Sequence, residues 1–212
     1  MEKEIRAFNF EVRAEDDEEH GHHLTGQPIV YNERTNLGWY DEIIEDNALA
    51  DTDLRDVRFL VNHNTDMIPL ARSRNNNANS TMQMEVVPGV GMSIRVDLDT
   101  DNNAEAKSLY SAVERGDITG MSFMFTVDKS MWEDEDSDNP IRRIMHIDKV
   151  FEVSAVAFPA YDETKLQAAG KDPTLESDED PLESALKREL QEVRDAKRNN
   201  ERRNKALDIL RR

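Results

Sequence analysis

Residues 4–13, EIRAFNFEVR, set Ile5 and Ala7, then Phe8, Phe10 and Val12, against polar neighbours. That alternation is the period of a half-buried or edge strand. DDEEHGHH follows as an exposed turn, and LTGQPIVYN, DVRFLVNHN, STMQMEVV and GMSIRVDL read as further strands. The last two are separated by PGVG, whose Pro and Gly predict a hairpin. WYDEIIEDNALADTDL combines an apolar run with a short helical segment that Asp46 or Asn47 would cap. In TDNNAEAKSLYSAVERGD, Ala104, Leu109, Ala112 and Val113 fall at helical spacing, with Asp101 or Asn102 as cap and Gly116 as stop. This helix runs into ITGMSFMFTVDK, an apolar strand. An acidic loop, WEDEDSDNP, then leads to IRRIMHIDKVFEVSAVAFPA, long enough for two strands or one bent strand. Many strands with a short helix among them predict a mainly β fold of the α+β type: an antiparallel β-barrel decorated by short helices.

The pattern changes near residue 161. Residues 162–180 carry seven carboxylates against two lysines and few large apolar side chains, the composition of a linker. From Pro181 a narrow apolar stripe returns through Leu182, Leu186, Leu190 and Val193, then, after a polar middle, Leu207 and Leu210. The organisation expected is a β-barrel domain over 1–161, an acidic linker over 162–180, and an amphipathic basic helix over 181–212. A stripe this narrow suits a helix that docks on a scaffold or oligomerises.

Charge sharpens that division. The chain of 212 residues has a net charge of −18, yet residues 181–212 hold ten Lys and Arg against six Asp and Glu, which is +4 and leaves −22 elsewhere. An acidic body cannot bind nucleic acid through phosphate contacts over its whole surface, so no direct nucleic-acid role is expected. There is no apolar run of about 18 residues and no basic-then-apolar leader, so no membrane role is expected and the protein should be cytosolic. Without cysteine, disulfides, thiolate metal sites and a cysteine nucleophile are excluded. Nucleophilic chemistry would fall to Ser, Thr, Lys or a carboxylate.

Ser122 is the first candidate. It is a hydroxyl among Met121, Phe123, Met124 and Phe125, two residues after Gly120. Alternation puts Ser122 on the face of Gly120 and Met124, where the glycine leaves room for a substrate chain. A serine in a strand is ordinarily a satisfied structural hydroxyl, so the reading needs a base. Of the five histidines, His20, His22 and His23 sit in the acidic turn and His146 alternates outward from a strand. His63 ends an apolar strand between Asn62 and Asn64, which can orient an imidazole or its neighbours. An acid must then hold the imidazole tautomer. Glu152 interrupts a strongly apolar strand and needs a donor, either His63 or an ion pair with Arg142 or Arg143. Asp148 competes for the same role. Asp97, Asp99 and Asp101 resemble the start of a calcium loop, but Asn102 and Ser108 replace its glycine and glutamate, so no metal or other cofactor is expected.

In order and spacing, FLVNHN, ERGDITGMSFMF and KVFEVSAVAFPAYDET resemble the prohead maturation proteases of tailed bacteriophages, a serine protease family distantly similar to the herpesvirus assemblins. The resemblance spans about residues 5 to 165. It implies His63 as general base, Ser122 as nucleophile and Glu152 as orienting acid, with oxyanion donors around Ala155 to Ala157. The herpesvirus pattern, with a second histidine, would require His146. Family members often carry Asp after the histidine and Gly soon after, where this chain has Asn64 and Leu70-Ala71, so the loop lining the site is expected to differ.

The resemblance further implies cleavage of capsid scaffold and major capsid precursor polypeptides, and of the protease itself, inside the procapsid assembling in the bacterial host cytoplasm. A homo-oligomer is also expected. The competing reading is a non-enzymatic acidic capsid-assembly or scaffold protein with an oligomerising helix, which leaves Ser122, His63 and Glu152 as coincidence. A calcium-dependent binding module rests only on the aspartates from 97 to 101.

Overall fold

The computed structural model describes residues 3–8, 12–157 and 181–210. Its strands are β1 (Glu4–Phe8), β2 (Arg13–Asp17), β3 (Gly21–Val30), β4 (Arg34–Asn36), β5 (Asp41–Ile44), β6 (Asp56–Val61), β7 (Ala71–Arg74), β8 (Met82–Val87), β9 (Gly91–Asp97), β10 (Gly120–Glu133) and β11 (Ile141–Val156). Its helices are α1 (Ala104–Glu114) and α2 (Pro181–Leu210). The acidic stretch 162–180 lies outside the described residues.

The strands form two sheets. One runs β1-β10-β11-β5-β4, with β6 paired to β11 and β7 paired to β6; the other runs β2-β3-β9-β8. The fold is therefore mainly β with helices, as the alternation predicts, but the expected barrel is not closed. Closure needs an unbroken backbone ladder around the ring. At β7 and β8, side chains take the backbone groups that such a ladder would use. The Arg72 N–H donates to Thr81 Oγ1 (2.9 Å), the Arg74 N–H to Ser80 Oγ (2.9 Å) and the Met84 N–H to Asn76 Oδ1 (2.8 Å).

Two other expectations change. The single strand expected over 4–13 is two strands in different sheets, β1 and β2. No helix forms after β5: Asn47 has φ of 65°, in the left-handed region, and Ala48, Ala50 and Thr52 N–H groups each bond three residues back. A residue there cannot propagate a right-handed helix, so the segment is a series of turns. By contrast α1 forms as its spacing predicts, with Asn103 rather than Asp101 or Asn102 as the cap, accepting from the N–H groups of Glu105 and Ala106. Gly116, φ 78°, ends it. The PGVG hairpin joins β8 to β9, and at Gly91 a Cβ would lie 2.0 Å from the Ile29 carbonyl oxygen, so only glycine fits there.

Two compact units are distinguished: one of Met1–Glu33, Ile44–Ser130 and Ile144–Thr164, the other of Arg34–Ile43, Met131–Arg143 and Lys165–Arg212. The first has a core of Phe59, Phe123, Phe125, Met121, Met82, Met92 and Ile144, all fully buried. Burying one such side chain contributes about 1.5–3 kcal/mol. In the second unit, Trp39, Tyr40 and Trp132 form an aromatic cluster with centroids 4.5 to 5.7 Å apart. Leu186 and Leu190, one turn apart on α2, are buried in it, with Leu182 and Val193 packed alongside. The upper stripe of α2 thus meets the chain's own aromatic residues. Lys197 is held by Glu135 (2.7 Å) and Asp136 (3.0 Å), which raise its ammonium above the ordinary lysine value.

Asp53 ties the entry of β6 to β11. Its N–H donates to the Asp148 carbonyl (2.8 Å), and its carboxylate accepts from Arg55 (2.8 Å) and from Lys149 Nζ (2.9 Å). Arg55, then Lys149, hold that carboxyl well below its ordinary value of 3.8. The stability this adds is complete above the unfolded value and fades as pH falls below it. Asp53→Asn is expected to lower the thermal midpoint at pH 7, and the gap from wild type should close progressively in melts taken below about pH 4.

Candidate functional site

Three strands of the first unit bring the candidate side chains together. β10 carries Ser122, the end of β6 carries His63, and β11 carries Glu152. β6 and β11 run parallel with Glu152 beside Arg58 and Ala155 beside Val61. After Val61 the chain turns through Asn62 and His63, with φ of 50° and 57°. A left-handed non-glycine residue costs roughly 1–2 kcal/mol, so two in succession persist only where neighbours fix them. Here the Asn62 N–H donates to the Ala155 carbonyl (3.0 Å), the His63 N–H to Ser154 Oγ (3.1 Å) and the Ala157 N–H to Asn62 Oδ1 (3.1 Å).

The turn aims the imidazole at both partners. His63 Nε2 lies 2.5 Å from Ser122 Oγ, and His63 Nδ1 lies 2.5 Å from Glu152 Oε1. An ionised carboxylate only accepts, so Nδ1 carries the hydrogen and Nε2 offers its lone pair to the hydroxyl. Ser122 is fully buried and Glu152 is 3 % exposed, whereas the His63 side chain is 17 % exposed. A hydroxyl, an imidazole and a carboxylate linked in this order can move a proton off the hydroxyl and stabilise the imidazolium that results.

Ser122 has a second neighbour, the Arg6 carbonyl oxygen of β1 at 2.8 Å. The register explains it, since Ala7 stands opposite Ser122. One hydroxyl proton cannot serve Arg6 and His63 together, so the two acceptors compete for it.

The alternatives for the acid lie elsewhere. Asp148 accepts from Thr126 Oγ1 (3.2 Å), and His146 pairs with Asp128 (2.6 Å). Arg142 pairs with Glu42, and Arg143 with Glu133, so neither is the donor for Glu152. His22 and His23 belong to β3 rather than to a turn, with His22 Nδ1 on Thr100 Oγ1 (2.7 Å). Asp97 accepts from Arg95, and Asp99 accepts from the N–H and side-chain amide of Asn102. Among the described residues no group of three or more His, Asp or Glu is placed to hold a metal. A groove of about 750 Å³ lined by Arg13, Gln27, Gln83, Glu85 and Arg95, among others, includes none of Ser122, His63 and Glu152.

Three participants were not singled out from sequence. They are Ser154, the Arg6 carbonyl and the Ala157 N–H that the Asn62 side chain holds. Ser154 had a readable signal, because strand alternation puts it on the face of Glu152. The flanking asparagines bind backbone rather than the ring: Asn64 Oδ1 accepts from the Asp66 N–H (3.1 Å).

Asn62 both adopts the left-handed conformation and clamps Ala157, and the two contributions can be separated. Asn62→Gly loses only the hydrogen bond and should cost about 1 kcal/mol; Asn62→Ala also incurs the conformational penalty and should cost about 1–2 kcal/mol more. Urea unfolding of the two variants beside wild type measures the difference.

No curated protein and no solved structure matches the chain. A family profile described as caudovirus prohead serine protease matches residues 8–177, which include Ser122, His63 and Glu152. Over this span, most of its length, the chain belongs to the prohead serine proteases of caudoviruses, a family of capsid-maturation peptidases acting within the procapsid.

Proposed function

We propose that the chain is a serine endopeptidase that cleaves scaffold and major capsid precursor segments, and itself, with Ser122 as nucleophile, His63 as general base and Glu152 as the acid that orients it. The observation that carries this reading is the alignment of Ser122 Oγ, the two ring nitrogens of His63 and the Glu152 carboxylate, with 2.5 Å at each contact. Family membership supports peptidase chemistry in capsid maturation.

In this reading His63 Nε2 takes the Ser122 proton as Oγ bonds to the scissile carbonyl carbon. The same proton then passes to the leaving amine as the C–N bond breaks, and water releases the acyl group by the reverse sequence. Glu152 stabilises the imidazolium through Nδ1. Oxyanion donors are assigned to segment 155–157 by family resemblance; the Ala157 N–H is engaged by Asn62, so it would serve only after exchanging that partner. Losing one oxyanion donor typically costs about 100- to 1,000-fold in rate. Because Ser122 is fully buried and within bonding distance of Arg6 O, the reading includes a step that uncovers the hydroxyl, which assembly would supply.

Intact-mass analysis of the full chain co-assembled with scaffold and capsid precursor tests the reading. Wild type should release defined fragments, and Ser122→Ala or His63→Ala should slow their appearance by at least about 10⁴-fold. Precursors left intact by the wild-type chain in assembled particles would count against it.

The basic end of α2 is read as the scaffold-docking face, with the chain as a homo-oligomer. Arg198, Arg202 and Arg203 are exposed there, beyond the leucines that are packed in the aromatic cluster. Replacing these three with Glu should leave the fold unchanged by circular dichroism and sharply reduce incorporation into particles; equal recovery of variant and wild type from purified procapsids would overturn the assignment.

A further inference from the structure

We infer that Ser154 is a positioning residue of the site, fixing His63 and Glu152 with one hydroxyl. The inference rests on the peptidase reading for its kinetic consequence but on geometry for its structural one.

Ser154 is fully buried. Its Oγ donates to Glu152 Oε2 at 2.6 Å and accepts the His63 backbone N–H at 3.1 Å. A serine hydroxyl has one proton and two lone pairs, and this one spends its proton on the carboxylate and a lone pair on the histidine backbone. Glu152 therefore has both oxygens engaged, Oε1 by the imidazole and Oε2 by Ser154. Rotation of the carboxylate about its last bond would break both contacts at once, so its plane is fixed. The same hydroxyl holds the backbone of His63 in a conformation, φ 57°, that the residue would otherwise avoid. The ring and its acid are thus located relative to each other by an atom that touches neither Ser122 nor a substrate.

Strand geometry makes this possible. Residues 152 and 154 share one face of β11, while the parallel register sets Ser154 beside Leu60, three residues before His63. A hydroxyl at 153 or 155 would project to the other face.

The test uses the full chain in three forms: wild type, Ser154→Ala and Ser154→Thr. Ser154→Ala removes only the hydroxyl oxygen and its proton. Its kcat on a scaffold-derived peptide, measured in assembled particles, should fall about 10- to 100-fold with KM within about twofold, the effect of loosening an aligned group. Ser154→Thr, which keeps the hydroxyl, should recover most of the loss. Proton NMR supplies a readout independent of cleavage: the His63 Nδ1–H signal, strongly downfield when bonded to Glu152, should shift upfield or broaden in Ser154→Ala and return in Ser154→Thr. If no form cleaves but the signal behaves in this way, the peptidase reading fails and the positioning role stands. Wild-type kcat together with an unchanged signal in Ser154→Ala overturns the positioning role, as does an equal loss in both variants with native near-ultraviolet circular dichroism.

Discussion

The parallel pairing of β6 with β11 is the constraint on which the site depends. It delivers His63, at the exit of one strand, to Glu152 and Ser154 on the next, with Glu152 beside Arg58 and Ser154 beside Leu60. Side chains alternate across a strand with a period of two, so a slip of one residue would turn Glu152 and Ser154 to the opposite face and leave the imidazole without either. The register is secured away from the site by apolar burial, since Val57, Phe59 and Val153 are fully buried and would be displaced by the same slip. Asp53, bridged to Lys149 at the start of the paired stretch, fixes it at the other end.

The burial that fixes the register also sets the energetics of the acid. Taking a carboxylate out of water costs several kcal/mol unless its oxygens find donors. Glu152, at 3 % exposure, finds two, and the backbone that supplies one of them is itself bonded to the other donor's oxygen. Such a closed polar network is worth keeping only when every member is satisfied. Beside it the Asn62 side chain is taken by the Ala157 N–H.

Much of the fold was legible as alternation, because a half-buried strand writes its two faces directly into the sequence. The Ser122 strand and the α1 helix are local patterns of that kind. Barrel closure was not legible, since it turns on whether β7 and β8 pair by backbone or are met by Thr81, Ser80 and Asn76 side chains. The turn at Asn47 departs from the expected helix because apolar spacing there is compatible with a helix while the backbone is left-handed. At the site, residue types and order could nominate Ser122, His63 and Glu152, but Asp148 and His146 stayed in contention because no local pattern says which strand neighbours which. Ser154 went unassigned because alternation places it on the face of Glu152 without saying which backbone lies alongside it.

The distances along the chain have a consequence in time. His63 is made 89 residues before Glu152 and 91 before Ser154. Contacts so far apart in sequence form only when the intervening chain has been made and has folded back. A chain still on the ribosome and short of residue 154 holds the hydroxyl and the imidazole without the carboxylate and clamp that would align them. The order of synthesis therefore delays assembly of this hydrogen-bonded group until residues 152 and 154 have been added.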